Sequence, residues 1–409
     1  MQGRMSVQSI LIERAAPMGE LLDRFQSVSS TAGSLADESL WQSEELHLPL
    51  WDSLLGSVPL GQFQQSSSWA FAKSADGWQV SRFVVQRSGV VTDGFQVLWK
   101  STRFGRVGYV SKGPVIFRPE LTSWDRAVRA MIEAAGAMGF RALLVQPPDR
   151  GIDAEPVLQA SGFVREHLQQ VIDATLWFDL SGSEADILQH MPGYNRTLIR
   201  QAERRGIEVY EGKESDLELF YDLMLDTCRR QSTKPNPSSL EGVRTVWRAF
   251  APSNAFRMTF ARVGERPLAA LSSIRFGDRV TLWKKGARDE ASKQRANHLL
   301  YFEALVRAQR IGAAFCDFYS LRRDIAQRMQ AGEKLSEEQS SSRDRFHIGF
   351  GGTARLLPRS WIYIPNRILR WGYTMSASLG EWRKRPSRVA TAIGSKLGRG
   401  SGCLASFLG

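Results

Sequence analysis

Apolar and polar positions alternate along the middle of this chain in a rhythm that changes from strand to helix and back. Residues 79–86 and 90–99 are runs of apolar and β-branched residues separated by Arg87-Ser88-Gly89, which predicts a β-hairpin. Residues 106–110 predict a third strand. Residues 124–138 place Ala127, Ile132 and Ala135 at helical spacing, Gly139 ends that helix, and 142–145 reads as a buried strand. The same order returns later. Residues 257–263, 267–275 and 280–285 predict strands joined by Gly264-Glu265-Arg266 and Gly277-Asp278; a helix over 298–311 stops at Gly312, and 314–319 is the next strand. Aligning Met138-Gly139 with Ile311-Gly312 brings the two helix-to-strand joints into register, which suggests a duplicated α/β unit. A chance repeat of a common strand–helix–strand pattern is the competing reading. Helices are expected over 184–190, 196–205, 216–230 and 239–250, with Pro192-Gly193 and Pro235-Asn236-Pro237 as breakers. The chain so divides into a partly ordered arm (1–57), a first domain (58–180), a second (181–352) and a tail (353–409).

Composition narrows the classes. A chain of 409 residues accommodates two or three domains. The formal charge is +12, and residues 353–409 hold ten Lys or Arg against Glu381 alone, so ten minus one leaves nine of the excess in the tail. A fold that grips nucleic acid throughout would be basic throughout. Cys228, Cys316 and Cys403 are widely spaced and form no CxxC pair, so neither a disulfide framework nor a metal site is expected. No stretch reaches the ~18 apolar residues of a spanning helix, which gives a cytoplasmic expectation. The chain has no GxSxG elbow, no GxxxxGK[ST] loop, no HExxH and no GxGxxG after a strand, so hydrolase, NTPase, metalloprotease and dehydrogenase readings lack their usual supports.

Three segments carry candidate chemistry. Tyr109-Val110-Ser111-Lys112-Gly113-Pro114 ends a strand with a cation at a sharp turn, a place suited to an anionic, phosphate-bearing ligand; a solvated lysine at an ordinary turn is the alternative. Arg196, Arg200 and Arg204 recur every four residues, so their guanidinium groups stack on one helix face and could bind phosphate through forked donors, unless that face is merely solvated. Phe346-His347-Ile348-Gly349-Phe350-Gly351-Gly352 reads as a glycine-rich loop that lets the backbone close on a substrate, with His347 able to move a proton or polarise a carbonyl.

These segments resemble, in order, the Fem-type peptidoglycan-bridge aminoacyltransferases of the acetyltransferase superfamily. The resemblance rests on Gln65-Ser66, Trp69-Ala70, Lys73, Gly77-Trp78, Tyr109, Lys112-Gly113-Pro114-Val115, Leu176 and Asp179-Leu180-Ser181. It continues through Arg196-Thr197, Arg200, Ala202, Ala296-Asn297-His298-Leu299-Leu300, Cys316-Asp317-Phe318-Tyr319 and Phe346 with Gly349-Phe350-Gly351. It implies an α/β fold of two tandem acetyltransferase-like (GNAT-fold) domains, each a mixed, mostly antiparallel sheet flanked by helices. It implies transfer of an aminoacyl group from charged tRNA, or of an acyl group from acyl-CoA, to an amine of a UDP- or undecaprenyl-linked glycan or peptidoglycan precursor, with no bound cofactor. By position, Trp69, Lys73, Tyr109, Lys112, Gly113, Arg196, Arg200, Asn297, Phe350 and Gly351 are expected to bind substrate. His347 stands where the family's motif typically has lysine, and His347, Tyr319 and Asp317 are the catalytic candidates. The helical hairpin inserted in the larger members has no counterpart here.

In the tail, Trp361, Ile362, Ile364, Ile368, Leu369, Trp371 and Tyr373 interleave with Arg359, Arg367 and Arg370. Such a strip suits RNA or a membrane surface, and its apolar share points to peripheral contact of residues 353–399 with the inner membrane. The competing reading is a C-terminal strand and helix packed on the second domain. Two further functions stay open at this level: an acyl-CoA-dependent N-acetyltransferase of exopolysaccharide biosynthesis, and a non-catalytic RNA- or membrane-binding adaptor.

Overall fold

The structure, a computed structural model, describes residues 20–28, 38–103, 105–121, 123–167, 171–333, 335 and 342–383. It divides into two compact units, one running to Val171 and resuming at Pro358, the other spanning Ile172–Leu357.

The first unit opens with strands β1 (Gln26–Ser27) and β2 (Glu38–Ser43) and helices α1 (Pro49–Gly56) and α2 (Ser67–Ser74). Then come β3 (Gln79–Arg87), β4 (Val90–Thr102), β5 (Gly105–Ser111), β6 (Val115–Ile116), α3 (Trp124–Ala137), β7 (Phe140–Gln146), α4 (Ala154–Ala160) and β8 (Val164–Arg165). The predicted hairpin pairs antiparallel, Phe83 facing Phe95, and β5 runs parallel to β7 from Arg106↔Phe140 to Ser111↔Gln146. A helix crossover is what such a parallel pair requires, and α3 supplies it. Its buried face, Ala127, Val128, Met131, Ala134 and Ala135, covers a core that includes Phe83, Phe95, Val110 and Phe140.

The second unit contains β9 (Ala174–Asp179), α5 (Glu184–His190), α6 (Gly193–Arg204), β10 (Ile207–Glu211), α7 (Leu217–Arg230), α8 (Leu240–Phe250), β11 (Phe256–Val263), β12 (Arg266–Phe276) and β13 (Arg279–Ala287). It continues with α9 (Glu290–Lys293), α10 (Ala296–Arg310), β14 (Phe315–Asp317), α11 (Arg323–Gln330), α12 (Ser342–Ile348) and β15 (Thr353–Leu356). The sheet order is β10-β11-β12-β13-β14-β9-β15. As in the first unit, an antiparallel meander is followed by a helix and a strand parallel to the meander's last member. The duplication expected from the sequence is therefore present in the topology of both sheets.

After β15 the chain returns to the first unit. Strand β16 (Trp361–Tyr363) inserts between β7 and β8, antiparallel to both, and helix α13 (Arg367–Arg383) comes next. The first unit's sheet order is then β1-β2-β3-β4-β5-β7-β16-β8, with β6 on β4.

Three boundaries differ from the sequence expectation. The division falls after Val171, not at 180, because Ala174, Leu176 and Phe178 of β9 are buried in the second core. Residues 38–56 are strand and helix of the first unit rather than an arm; only Leu40 and Ser43 of β2 are buried, so the strand has almost no apolar signal. The tail is not one segment: β15 completes the second sheet, whereas β16 and α13 join the first unit rather than the second. Residues 384–409 lie outside those described.

Candidate active site

The chemistry-bearing residues of the second unit gather where β13 and β14 part. These two strands pair over only three positions, Arg279↔Phe315 to Thr281↔Asp317. Beyond Thr281, β13 continues to Ala287 on its other partner β12, while β14 has ended. A bulge opposite Ser272/Ser273 leaves Trp283 as an extra residue and resets which side chains face which side. Lys285, half-buried, then sits with its Nζ 5.0 Å from the Phe346 ring centroid and 5.8 Å from that of Tyr301. Burial, with Arg230 and Arg343 adding repulsion, lowers its pKa to about 8.

Around Lys285 is an aromatic cluster. Tyr301 lies 4.9 Å from Phe346 and 5.8 Å from His347; Phe318 lies 5.6 Å from His347, and Phe346 is 5.2 Å from Phe350. His298 packs edge-on to Phe346 at 5.1 Å. Both histidines are held neutral, with pKa values lowered to about 4. For His347 the causes are burial and then Lys285; for His298, burial, then Arg295 and Lys285. His347 Nδ1 is 3.2 Å from the Ser320 carbonyl. A carbonyl only accepts, so Nδ1 carries the proton and Nε2 is left as an acceptor. Ser320 comes directly after Tyr319, whose φ of +61° is left-handed and ends the strand that the sequence extended to 319.

His347 is thus not in an open loop. It lies in the last turn of α12, only 5% exposed, and this helix is held by fully buried Asp344, whose Oδ2 accepts from Arg322 Nε at 3.0 Å. Asp317 is 3% exposed and accepts from Thr175 Oγ1 at 2.6 Å and Tyr319 N at 2.8 Å, so it holds the turn beside His347. Phe350, at 0% exposure, is core rather than substrate lining, and Gly351 (φ +92°) turns the chain against the His190 carbonyl. Asn297, by contrast, keeps a buried Oδ1 without a hydrogen-bond partner, and Asn195, abutting Gly349, keeps a buried Nδ2 without one. Of the arginine row, Arg196 donates to the Gln189 carbonyl at 3.4 Å, and Arg200 and Arg204 are exposed.

In the first unit, Ser66 Oγ caps α2 by accepting from Trp69 N at 3.2 Å. Lys73, in the last turn of that helix, sets Nζ 4.9 Å from the Trp69 ring centroid and 3.6 Å from Asp76. Burial keeps its pKa below the ordinary lysine value. Lys112 departs from expectation. Its Nζ is buried and pairs with buried Asp149 at 2.7 Å, and Asp149 is in turn bracketed by Gln62, which donates from Nε2 at 2.8 Å and accepts from Asp149 N at 2.7 Å. The Lys112 side chain is thus ion-paired within the first unit. Gly113 is closely packed, since a Cβ there would lie 2.9 Å from Val110 Cγ1 and 3.0 Å from the Gln65 side chain. Tyr109 is buried beside this network, its phenol pushed up to about 12 by desolvation.

Sequence reasoning missed Lys285, Tyr301 and the part played by His298. The Phe346-His347, His298 and Phe318 segments were visible singly, and their convergence with Lys285 of β13 and Tyr301 of α10 was not.

Residues 194–327 match the acetyltransferase (GNAT) domain family. The chain is 26% identical over 191 residues to the Lipid II:glycine glycyltransferase of Staphylococcus aureus, covering 44% of this chain and 45% of that protein. It therefore spans less than half the length of the curated relatives it matches. Among solved structures, FemX superposes with a TM-score of 0.66 at 17% identity, over 78% of this chain and 96% of FemX. The fold is that of tandem acetyltransferase-like units. The family match is thus to a GNAT domain within the second unit, and the likeness to FemX is one of fold.

Proposed function

We propose that this protein is a Fem-type N-acyltransferase that moves an aminoacyl group onto an amine of a nucleotide- or lipid-linked cell-wall or surface-glycan precursor. The observation that carries the reading is Lys285, an ammonium held in an aromatic recess at the open end of the β13/β14 pair. The S. aureus relative, whose name specifies glycyl transfer to lipid II, supports the acceptor class.

The reaction asks little covalent chemistry of the protein. The acceptor amine attacks the ester carbonyl, a C–N bond forms, the ester C–O bond breaks, and the proton lost by the amine ends on the leaving oxygen. What must be supplied is position and a partner for the oxyanion of the tetrahedral intermediate. Lys285 is the group suited to that oxyanion, because a cation in a partly desolvated site interacts more strongly than one in water. The neutral His347, with Nε2 as acceptor, suits the amine proton in transit, and Tyr319 lines the turn beside it. Exposed Arg200 on α6 suits a diphosphate, as does Arg196 where its present partner gives way; within the first unit, Lys73 is a separate candidate for an anionic group where Asp76 releases it.

An ester donor is favoured over a CoA thioester by the entry to α10. There the short helix α9 and left-handed Arg295 (φ +64°) lead in, where a pyrophosphate would require a glycine-rich turn of free amides.

Transfer of radiolabel from aminoacyl-tRNA, or from acyl-CoA, to UDP-linked and lipid-linked precursors tests the reading. Transfer from aminoacyl-tRNA that falls on the order of 100-fold in Lys285→Ala supports it. Transfer from acyl-CoA alone would replace the donor assignment, and no transfer from either would favour a non-catalytic adaptor.

A further inference from the structure

Helix α13 is docked on the protein by its polar residues and turns its apolar ones outward. Asn366 Oδ1 caps its start, accepting from the backbone N–H of Ile368 and Leu369 at 3.0 Å each. Arg370 Nη1 donates to the Gly162 carbonyl at 3.1 Å. Tyr373 donates to Glu166 Oε1 at 2.9 Å, and its ring lies 4.5 Å from that of His167. The opposite face holds Ile368, Trp371 and Met375, spaced three and four apart, which are 78%, 65% and 41% exposed; Leu369, at 54%, stands off this stripe toward Tyr373. Of the eight large apolar side chains exposed among the described residues, these four stand on one helix. A soluble surface helix has the reverse arrangement, apolar face inward. A clustered apolar patch of this kind marks an interaction surface.

We infer that the Ile368–Trp371–Met375 stripe docks the chain on an anionic phospholipid surface, with α13 lying in the plane of the interface. Three observations select a bilayer. Arg367 stands at the head of the helix, and the sequence continues through Arg383-Lys384-Arg385 and Arg388, with Glu381 the one acidic residue in this stretch. An apolar stripe flanked by cations, with tryptophan on the stripe, is the composition of an interfacial helix. At 17 residues α13 suits lying flat, and no described helix is long and apolar enough to cross a membrane. RNA would need cations on the free face, yet Arg370 is turned into the protein and the free face is apolar. The inference stands independently of the transfer reaction, since it rests on no residue of the candidate active site.

The test is co-sedimentation of the full chain with vesicles of phosphatidylcholine alone or mixed with phosphatidylglycerol, monitored also by tryptophan fluorescence. The expected result is binding to the anionic vesicles, weakened by salt without being abolished. The Ile368→Ser/Trp371→Ser variant should bind about tenfold or more weakly while its far-UV circular dichroism and unfolding midpoint stay unchanged. Binding that the double substitution leaves intact would overturn the inference, as would no binding. It would also be overturned if the wild type self-associates in sedimentation velocity, or retains tRNA, through this stripe while ignoring vesicles.

Discussion

Lys285 has a conflict built into its surroundings: the aromatic rings that favour its cation also desolvate it, and two arginines repel it. Its pKa of about 8 lies below the ordinary 10.5. Below about pH 8 the charged form is present and penalises folding; between 8 and 10.5 the unfolded chain binds more protons, so stability rises with pH. Lys285→Met should therefore unfold at higher urea at pH 7, by on the order of 1 kcal/mol after allowance for solvent screening, while transfer collapses. In the wild type, turnover should fall as pH rises through about 8. An unchanged profile in Lys285→Met would remove the residue from the mechanism. The histidines follow the same sign at lower pH. With folded values near 4 against 6.5, His298 and His347 contribute stability that is complete above pH 6.5 and is lost as pH falls toward 4. His347→Gln should flatten the acid limb of a urea-midpoint profile; an identical limb would count against a buried neutral His347. At this scale the sequence exposed the imidazole and hid the ammonium. Lys284 and Lys285 are adjacent on a strand of period two, and only the bulge at Trp283 decides which of them turns toward the ring cluster.

The elements that hold Lys285 are bound by close backbone approach. Helix α7 lies against β13 so tightly that a Cβ on Gly286 would be 2.4 Å from Met224 N and 2.5 Å from the Leu223 carbonyl carbon. Thr227 Oγ1 locks the same contact, accepting from Ala287 N at 2.8 Å. Since the clash is with helix backbone, no rotamer relieves it. Gly286→Ala should cost about 3 kcal/mol and displace the neighbouring Lys285, so the midpoint and transfer should fall together; a variant as stable as wild type would show that α7 moves freely. Alternation and glycine stops were enough to read the meanders, both crossover helices and the repeat. Other elements stayed hidden for physical reasons. Strand β9 comes straight after the first unit in sequence but packs in the second core; α12 precedes three glycines yet is fixed by buried Asp344, whose partner Arg322 lies twenty-two residues earlier. Long-range pairing of that sort leaves no local pattern.

At the scale of the whole molecule, the chain's route matters more than its length. The second unit is one continuous stretch, Ile172–Leu357, and the first is completed only by residues from Pro358 onward. Strand β16 supplies β7 with its outer neighbour and β8 with its only described one, Trp361 enters the first core at 7% exposure, and the Pro358 carbonyl accepts from Gln146 Nε2 at 3.3 Å. Ending the chain at Leu357 should therefore damage the first unit, although the deletion lies next to the second in sequence. Losing the Trp361 side chain alone is worth about 3–5 kcal/mol, and the stranded edge of β7 adds unpaired backbone groups. Urea unfolding of the truncated chain should show one transition moved to lower denaturant and one unmoved. Hydrogen exchange would assign them, with β3–β7 amides losing protection and β11–β13 amides keeping it. A separately expressed 172–357 fragment should fold with the unmoved midpoint, because its sheet and core draw on no residue outside it. If both transitions shift together, or the fragment fails to fold, the two units are one cooperative body and the duplicated architecture is not a pair of separable folds.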